Sequence, residues 1–234
     1  MIRLTERLQK IADSIQSGES VADIGSDHGY IPIFLYEKGV PDKIIITDIR
    51  KDPLDIAKNN INSKIKNRDK LDFRIGNGLD ALKYEEVDTV IIAGMGGILI
   101  RDIISRDKKK SLSFKKLILQ PRNAQDKLRQ WLVENGFEIK DEKLAREGKY
   151  ICEIIIAAPG KDKHYEGTYY EIGYKLIEKK DPLLETFILR KIKIEERILT
   201  DTKNRNSEKA ARQYEYSKDR IIKLKEVLRY VRSC

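Results

Sequence analysis

The sequence predicts a doubly wound α/β sheet followed by a C-terminal α-helical hairpin with a coiled-coil seam. Three observations carry this. Over residues 1–160, short apolar runs alternate with stretches of helical periodicity, as in βα units built around a mainly parallel sheet. The loops after the first four runs are rich in Gly, Asp and Asn, on the side of the sheet where such folds bind ligands. Beyond Pro159-Gly160 the strand pattern stops, and apolar residues recur every three or four positions.

Leu4, Leu8, Ile11 and Ile15 share a helical face, so a helix precedes the first strand, Val21 to Ile24. A glycine loop leads into a helix from about Ile31 to Lys38. Strand two runs from Lys43 to Thr47 and ends in Asp48. Asp52 before Pro53 reads as an N-cap with proline at the first helical position, opening a helix to about Ile65. Leu71 to Ile75 is strand three. Thr89 to Ala93 is strand four, a continuous apolar run of the kind buried on both faces. A helix follows Gly97. Lys116 to Leu119 is strand five, stopped by Gln120-Pro121, and a helix covers Ala124 to Glu134 with Gly136 as its stop. Phe137 to Leu144 and Tyr150 to Ala157 form an antiparallel hairpin at the sheet edge.

After the boundary, a short helix spans Tyr169 to Lys179. Leu184, Ile188, Ile192 and Leu199 then form one apolar stripe. Ala210, Tyr214, Ser217, Ile221, Leu224, Leu228 and Val231 form a second, spaced alternately four and three as in a coiled coil. The polar break between them, with Asn204, Asn206 and Ser207 as turn and cap chemistry, reads as the turn of an antiparallel hairpin. A kink in one long helix is the alternative. The expected domains are 1–160, a ligand-binding body, and 161–234, a basic helical hairpin.

The chain has 234 residues, 40% hydrophobic and 36% charged, the composition of a soluble globular protein. No apolar run has the length of a membrane span, and residues 1–10 lack a signal-peptide core, so a cytoplasmic protein is expected. Cys152 and Cys234 offer neither metal spacing nor a disulfide framework, and no metal is expected. The formal net charge is +9. Residues 1–160 hold 28 Lys and Arg against 25 Asp and Glu; residues 161–234 hold 19 against 13. A basic tail on a near-neutral body suggests a polyanionic partner, with a merely solvated helix surface as the alternative.

Residues 21–30, Val-Ala-Asp-Ile-Gly-Ser-Asp-His-Gly-Tyr, run from a strand into an acidic loop. A phosphate cradle favours Lys, Arg and free N–H groups; Asp23, Asp27 and then Asp48 suit a ligand with hydroxyls and positive charge, such as S-adenosylmethionine. Gly25 and Gly29 are spaced G-x-x-x-G, which is not the dinucleotide fingerprint and argues against a nicotinamide enzyme. Asp23 can take the amino end of the methionine, and Asp48 can accept from ribose hydroxyls or cap a turn. Asn77 of Gly76-Asn77-Gly78-Leu79 can pair with an adenine edge while Leu79 covers a ring face, or the segment is only a turn. The three glycines of Ala93-Gly94-Met95-Gly96-Gly97 cost chain entropy, which suggests close approach by a ligand. The candidate cofactor-binding residues are Asp23, Gly25, Ser26, His28, Gly29, Asp48, Ile49, Asn77, Gly78, Ala93, Gly94 and Met95. The polar groups of Gln120-Pro121-Arg122-Asn123 could meet a substrate base, or Pro121 only stops the strand and Asn123 caps the next helix. His28 is a loop-packing or catalytic imidazole, Tyr30 stacks or packs, and Arg106 to Lys110 is a solvated loop or a phosphate contact.

Val-Ala-Asp-Ile-Gly-Ser-Asp-His-Gly-Tyr-Ile-Pro, Ile-Ala-Gly-Met-Gly-Gly, Leu-Ile-Leu-Gln-Pro, the opening Arg-Leu-x-x-Ile-Ala and the later Tyr-Tyr-Glu-Ile-Gly resemble the bacterial tRNA (adenine-N1)-methyltransferases that modify adenine 22. The resemblance covers essentially the whole chain. It implies a class I methyltransferase (Rossmann-like) fold, S-adenosyl-L-methionine as donor and tRNA as acceptor, with cofactor roles for Asp23, Gly25, Asp48, Asn77 and Gly94. Two positions depart from the family pattern: Asn77 stands where relatives commonly have Asp, and Arg122 intervenes between Gln120-Pro121 and Asn123. For transfer to adenine N1, Asp27 is the candidate to stabilise the developing positive charge, and Gln120, Asn123 and Tyr30 are candidates to hold the base. A monomer is expected. A non-catalytic RNA-binding protein on a methyltransferase scaffold is the competing reading, and a small-molecule or protein methyltransferase a third.

Overall fold

A computed structural model of the chain describes residues 2–66, 69–165, 167–203, 205 and 207–233. It divides into two compact units, Met1–Tyr165 and Glu166–Cys234. The first unit extends past Pro159-Gly160 because the Asp162 carboxylate accepts from the Ile139 backbone N–H at 2.9 Å, tying the chain back to the sheet.

The first unit is a seven-stranded sheet: β1 Val21–Ile24, β2 Ile44–Asp48, β3 Leu71–Ile75, β4 Thr89–Met95, β5 Lys116–Pro121, β6 Phe137–Glu147 and β7 Tyr150–Pro159. The spatial order is β3-β2-β1-β4-β5-β7-β6; β1 to β5 are parallel and β7 runs antiparallel to both neighbours. Isoleucine-rich runs make the central strands. Ile44 to Ile46, Ile91, Ile92 and Ile118 are fully buried, because helices cover a parallel sheet on both faces. Those helices are α1 Glu6–Ala12, α2 Tyr30–Glu37, α3 Lys51–Lys64, α4 Gly97–Arg106, α5 Lys108–Ser111 and α6 Gln125–Glu134. The chain order reverses between β1 and β4, which opens the crevice beyond their carboxyl ends.

Three local expectations are corrected, and the turn read at Gly76 to Leu79 takes a defined form. The helix predicted to start at Asp52-Pro53 starts at Lys51, because the Asp48 side chain accepts from the Arg50 N–H at 2.9 Å and turns the chain earlier. Pro53 is tolerated in the first turn, where N–H groups lack helical partners. Of the segment Arg106 to Lys110, Lys108 to Lys110 open α5, with the Asp107 side chain accepting from the Lys110 N–H. A 3₁₀ turn, Gly78–Ala81, follows β3. The helix predicted over Tyr169 to Lys179 is two helices, α7 Gly167–Ile172 and α8 Tyr174–Glu178, broken at Gly173 by a φ of 92°.

In the second unit, α9 Leu184–Thr202 packs against α10 Glu208–Ser233. Ion pairs Glu185–Arg232 and Glu195–Arg220, both 2.6 Å, make the helices antiparallel, so the hairpin holds and the single kinked helix does not. Asn204 and Asn206, named above as turn residues, lie outside the described residues. Ile188, Ile192, Ile221 and Leu224 are buried along the seam; Glu195, in the gap of the first stripe, is buried too and takes Arg220. Among the described residues no helix is long and apolar enough to cross a membrane.

Candidate active site

A cavity of about 570 Å³ opens beyond the carboxyl ends of β1 and β4. Its floor comes from the loop after β1. Gly25 has a φ of 72° and Gly29 of 68°, left-handed values that only glycine adopts freely, and together they swing the chain from strand into α2 within five residues. Gly25 is also required by space: a Cβ there would lie 2.3 Å from Met95 Cε in the opposite loop. The two loops therefore pack directly on each other, and Asp23, Gly25, Ser26, Asp27, His28, Gly29, Tyr30, Ala93, Gly94 and Met95 all line the one cavity.

Asp23 is 6% exposed and has no ion-pair partner among the described residues. Burial pushes its carboxyl up to about 6; the Ser26 hydroxyl beside it opposes this but makes no hydrogen bond of regular geometry, and that buried oxygen is left unpartnered. A buried carboxylate and an orphaned hydroxyl in a cavity wall are unfavourable unless a ligand completes them. Asp27 stands at the mouth, its side chain 72% exposed, 3.6 Å from His28 Nε2. His28 stacks on Tyr30 with ring centroids 5.3 Å apart, and its backbone carbonyl accepts from Asn60.

The wall beyond β4 is held by β5. Gly94, with a φ of 77°, is the extra residue of a β-bulge between Ala93 and Met95. Its N–H donates to Gln120 Oε1 at 3.1 Å, in place of a backbone partner. The same oxygen accepts from Arg7 Nη1 at 3.1 Å, and Arg7 Nε donates to Glu147 at 2.8 Å. Asn123 accepts from the Gly97 N–H through its carbonyl at 3.0 Å and its side chain at 3.2 Å. It thus caps the start of α4; α6, which it was expected to cap, starts from Ala124 in the left-handed region without a side-chain cap. Gln120 is 2% exposed and Asn123 exposed; neither lines the cavity.

Asp48, Ile49, Asn77 and Gly78 stand at the ends of the neighbouring β2 and β3, outside the lining of this cavity. Asp48 is 8% exposed, and Ile49 beside it is 58% exposed, an apolar face open to a planar ligand. Asn77, with its amide oxygen turned to Arg106, accepts from both guanidinium nitrogens at 2.8 and 3.2 Å. Arg106 also pairs with Asp80 at 2.9 Å. Gly78 is a packing glycine, since a Cβ there would meet Ile103 Cγ2 at 2.7 Å, and Leu79 is buried rather than offered to a ring.

Sequence reasoning missed the N-terminal wall. Ile2, Arg3, Leu4, Thr5, Arg7 and Leu8 line the cavity, held there by the Ile2 N–H donating to Glu37 at 2.7 Å and by the Arg7–Gln120 bond. Of the segment Gln120 to Asn123, expected to meet a substrate base, Arg122 is the residue that lines the cavity. The helical spacing of Leu4 and Leu8 predicted a helix face but not the surface it would cover.

A family model described as a methyltransferase domain matches residues 4–155. The tRNA (adenine(22)-N(1))-methyltransferase of Bacillus subtilis is 34% identical over 173 residues, 74% of this chain and 72% of that protein. The crystal structure of the B. subtilis m1A22 tRNA methyltransferase TrmK superposes with a TM-score of 0.85 at 28% identity, covering 97% of this chain and all of that one. A Streptococcus pneumoniae structure in complex with S-adenosyl-L-methionine gives 0.85 at 30% identity, with the same coverage. The seven-stranded sheet and the appended helix pair are thus a shared fold, and the chain belongs to the tRNA (adenine(22)-N1)-methyltransferase family of class I methyltransferases.

Proposed function

We propose that this protein methylates N1 of adenine 22 in tRNA, with S-adenosylmethionine as methyl donor. The observation that carries the reading is Asp23: a buried carboxylate without a cationic partner, in the wall of the cavity where the two glycine loops meet. The residues present fit that donor. Asp23 and the unpartnered Ser26 hydroxyl suit its ammonium end, and Gly94 leaves the wall open beside them. Asp48 and the exposed Ile49 suit the ribose hydroxyls and one adenine face, and Asn77 the adenine edge. When bound, S-adenosylmethionine supplies an electrophilic methyl group on a sulfonium.

The chain's own residues contribute alignment and charge. Neutral adenine N1 carries its lone pair in the ring plane, so no general base has to act before attack. The Gln120 amide and Asn123 hold the bulged loop after β4 in place, and so act as positioning residues for the wall against which the base must sit. Asp27, at the mouth, is placed to stabilise the positive charge that grows on the methylated ring. Tyr30, 44% exposed and stacked on His28, offers a ring face to the base. Because N1 lies on the Watson–Crick edge, the target must leave its pair to react.

Residues 161–234 carry most of the net positive charge and would grip the folded tRNA through phosphates. We also read it as a cytoplasmic monomer, a reading that a tRNA substrate supports. The deciding experiment is methylation of bulk tRNA with labelled donor followed by nucleoside analysis. Label recovered in 1-methyladenosine, and lost when position 22 is changed, is the expected result. Donor binding without transfer to any tRNA would sink the reading and favour a scaffold protein.

A further inference from the structure

The cavity is charged in two layers. Its floor holds Asp23, while the rim carries Asp27 and two exposed arginines, Arg3 and Arg122. Arg7, also in the lining, is spent on Glu147 and Gln120. Arg3 and Arg122 differ: neither side chain has a hydrogen bond or ion pair among the described residues. Arg122 is nonetheless well placed. Its N–H donates to the Met95 carbonyl at 2.8 Å, and its guanidinium lies over Gly94, where a built Cβ would be 3.6 Å from Nη2 and 3.8 Å from Nε. Arg3 stands on the N-terminal segment that forms another part of the wall, anchored through Ile2 to Glu37. Two guanidinia without side-chain partners among the described residues thus line one cavity on anchored backbone.

Resting on the functional reading above, we infer that Arg3 and Arg122 clamp the RNA phosphates on either side of the target adenosine and hold it extruded at the cavity mouth. Guanidinium suits this task because it is permanently charged and binds phosphate oxygens in pairs. The alternative anion is the carboxylate of the methyl donor, whose ammonium suits Asp23 in the same cavity; donor affinity tells the two apart. Asp27 shares the rim and opposes a phosphate at its own position, which leaves the arginine side of the mouth as the track for the strand.

The test is tRNA affinity of Arg3→Gln, Arg122→Gln and the double variant, measured by fluorescence anisotropy over a range of salt, alongside calorimetry with S-adenosylmethionine. Each single substitution should weaken tRNA binding roughly 5- to 10-fold near 0.1 M salt and lower the slope of log K against log salt by about 0.7 to 1. Donor affinity should stay within about twofold, the measure that separates phosphate from the donor's carboxylate. A tRNA with uncharged methylphosphonate linkages flanking the target adenosine should bind wild type more weakly and show no further loss with either variant. Unchanged tRNA affinity and salt slope, or an equal loss of donor affinity, overturns the inference. A wild-type chain that binds tRNA yet forms no 1-methyladenosine defeats the functional reading instead, and leaves the arginine comparison legible.

Discussion

Replacing Asp23 by Asn should make the ligand-free protein more stable and the enzyme useless. The folded-state carboxyl is raised from 3.8 to about 6 by burial. A raised acid is stabilising relative to the unfolded chain only while protonated: its contribution is whole below about pH 3.8 and is lost as pH climbs through about 6. Two units or so at 1.36 kcal/mol each put the cost of ionised Asp23 at about 3 kcal/mol at pH 7. Asn removes that cost. Urea midpoints should therefore favour Asp23→Asn by up to about 3 kcal/mol at pH 7, with the gain shrinking towards zero near pH 4. The donor reverses the order, since its ammonium would restore the carboxylate's lost solvation. Loss of a buried charge partner costs about 2 to 5 kcal/mol, so S-adenosylmethionine should bind the variant at least about 30-fold more weakly. Wild-type affinity should itself fall as pH drops below about 6. A variant no more stable than wild type at pH 7, or one that binds the donor normally, would refute the reasoning.

Four further outcomes follow from the same geometry. Asp27→Ala should lower the single-turnover rate by about 10²-fold or more with little change in donor affinity, as expected for a group that acts on developing charge; an unchanged rate removes Asp27 from the chemistry. Gly25→Ala should cost about 1–2 kcal/mol from its positive φ alone, plus the clash with Met95; adding Met95→Ala should recover the clash but not the backbone part, as read by urea unfolding. Gln120→Ala strands the Gly94 N–H and one Arg7 donor, and should cost about 1–3 kcal/mol and weaken donor binding, measured by denaturation and calorimetry. Arg129, fully buried between Glu142 and Glu153 at 2.5 and 2.6 Å, anchors the edge hairpin to α6. Arg129→Met should cost about 3–5 kcal/mol, and replacing both glutamates by Gln in that background should recover much of it.

Much of the frame was legible because it rests on local periodicity. β1 and β3 fall on the predicted residues, and β4 runs two residues past its predicted end because the bulge at Gly94 lets Met95 rejoin the ladder opposite Pro121. The two stripes after Pro182 likewise predicted a helix pair, but not the buried Glu195–Arg220 ion pair that fills the gap in the first stripe. Two local effects misled: the Asp48 side chain captured the Arg50 N–H and moved a helix start, and the positive φ of Gly173 broke a helix read as continuous.

The sequence by itself determined the fold and the cluster of acids and glycines at the strand ends, because strand and helix periods, and the need for positive φ in tight turns, are properties of neighbouring residues. Only the tertiary structure decided which groups share the cavity. It brought residues 2–8 across to complete the wall, turned Gln120 and Asn123 into braces for the glycine loop, and left Arg3 and Arg122 uncommitted at the mouth. Those assignments depend on which donors find acceptors far along the chain, from 26 residues for Gly94 and Gln120 to 113 for Arg7 and Gln120, and partnership at that range is settled by packing rather than by local spacing.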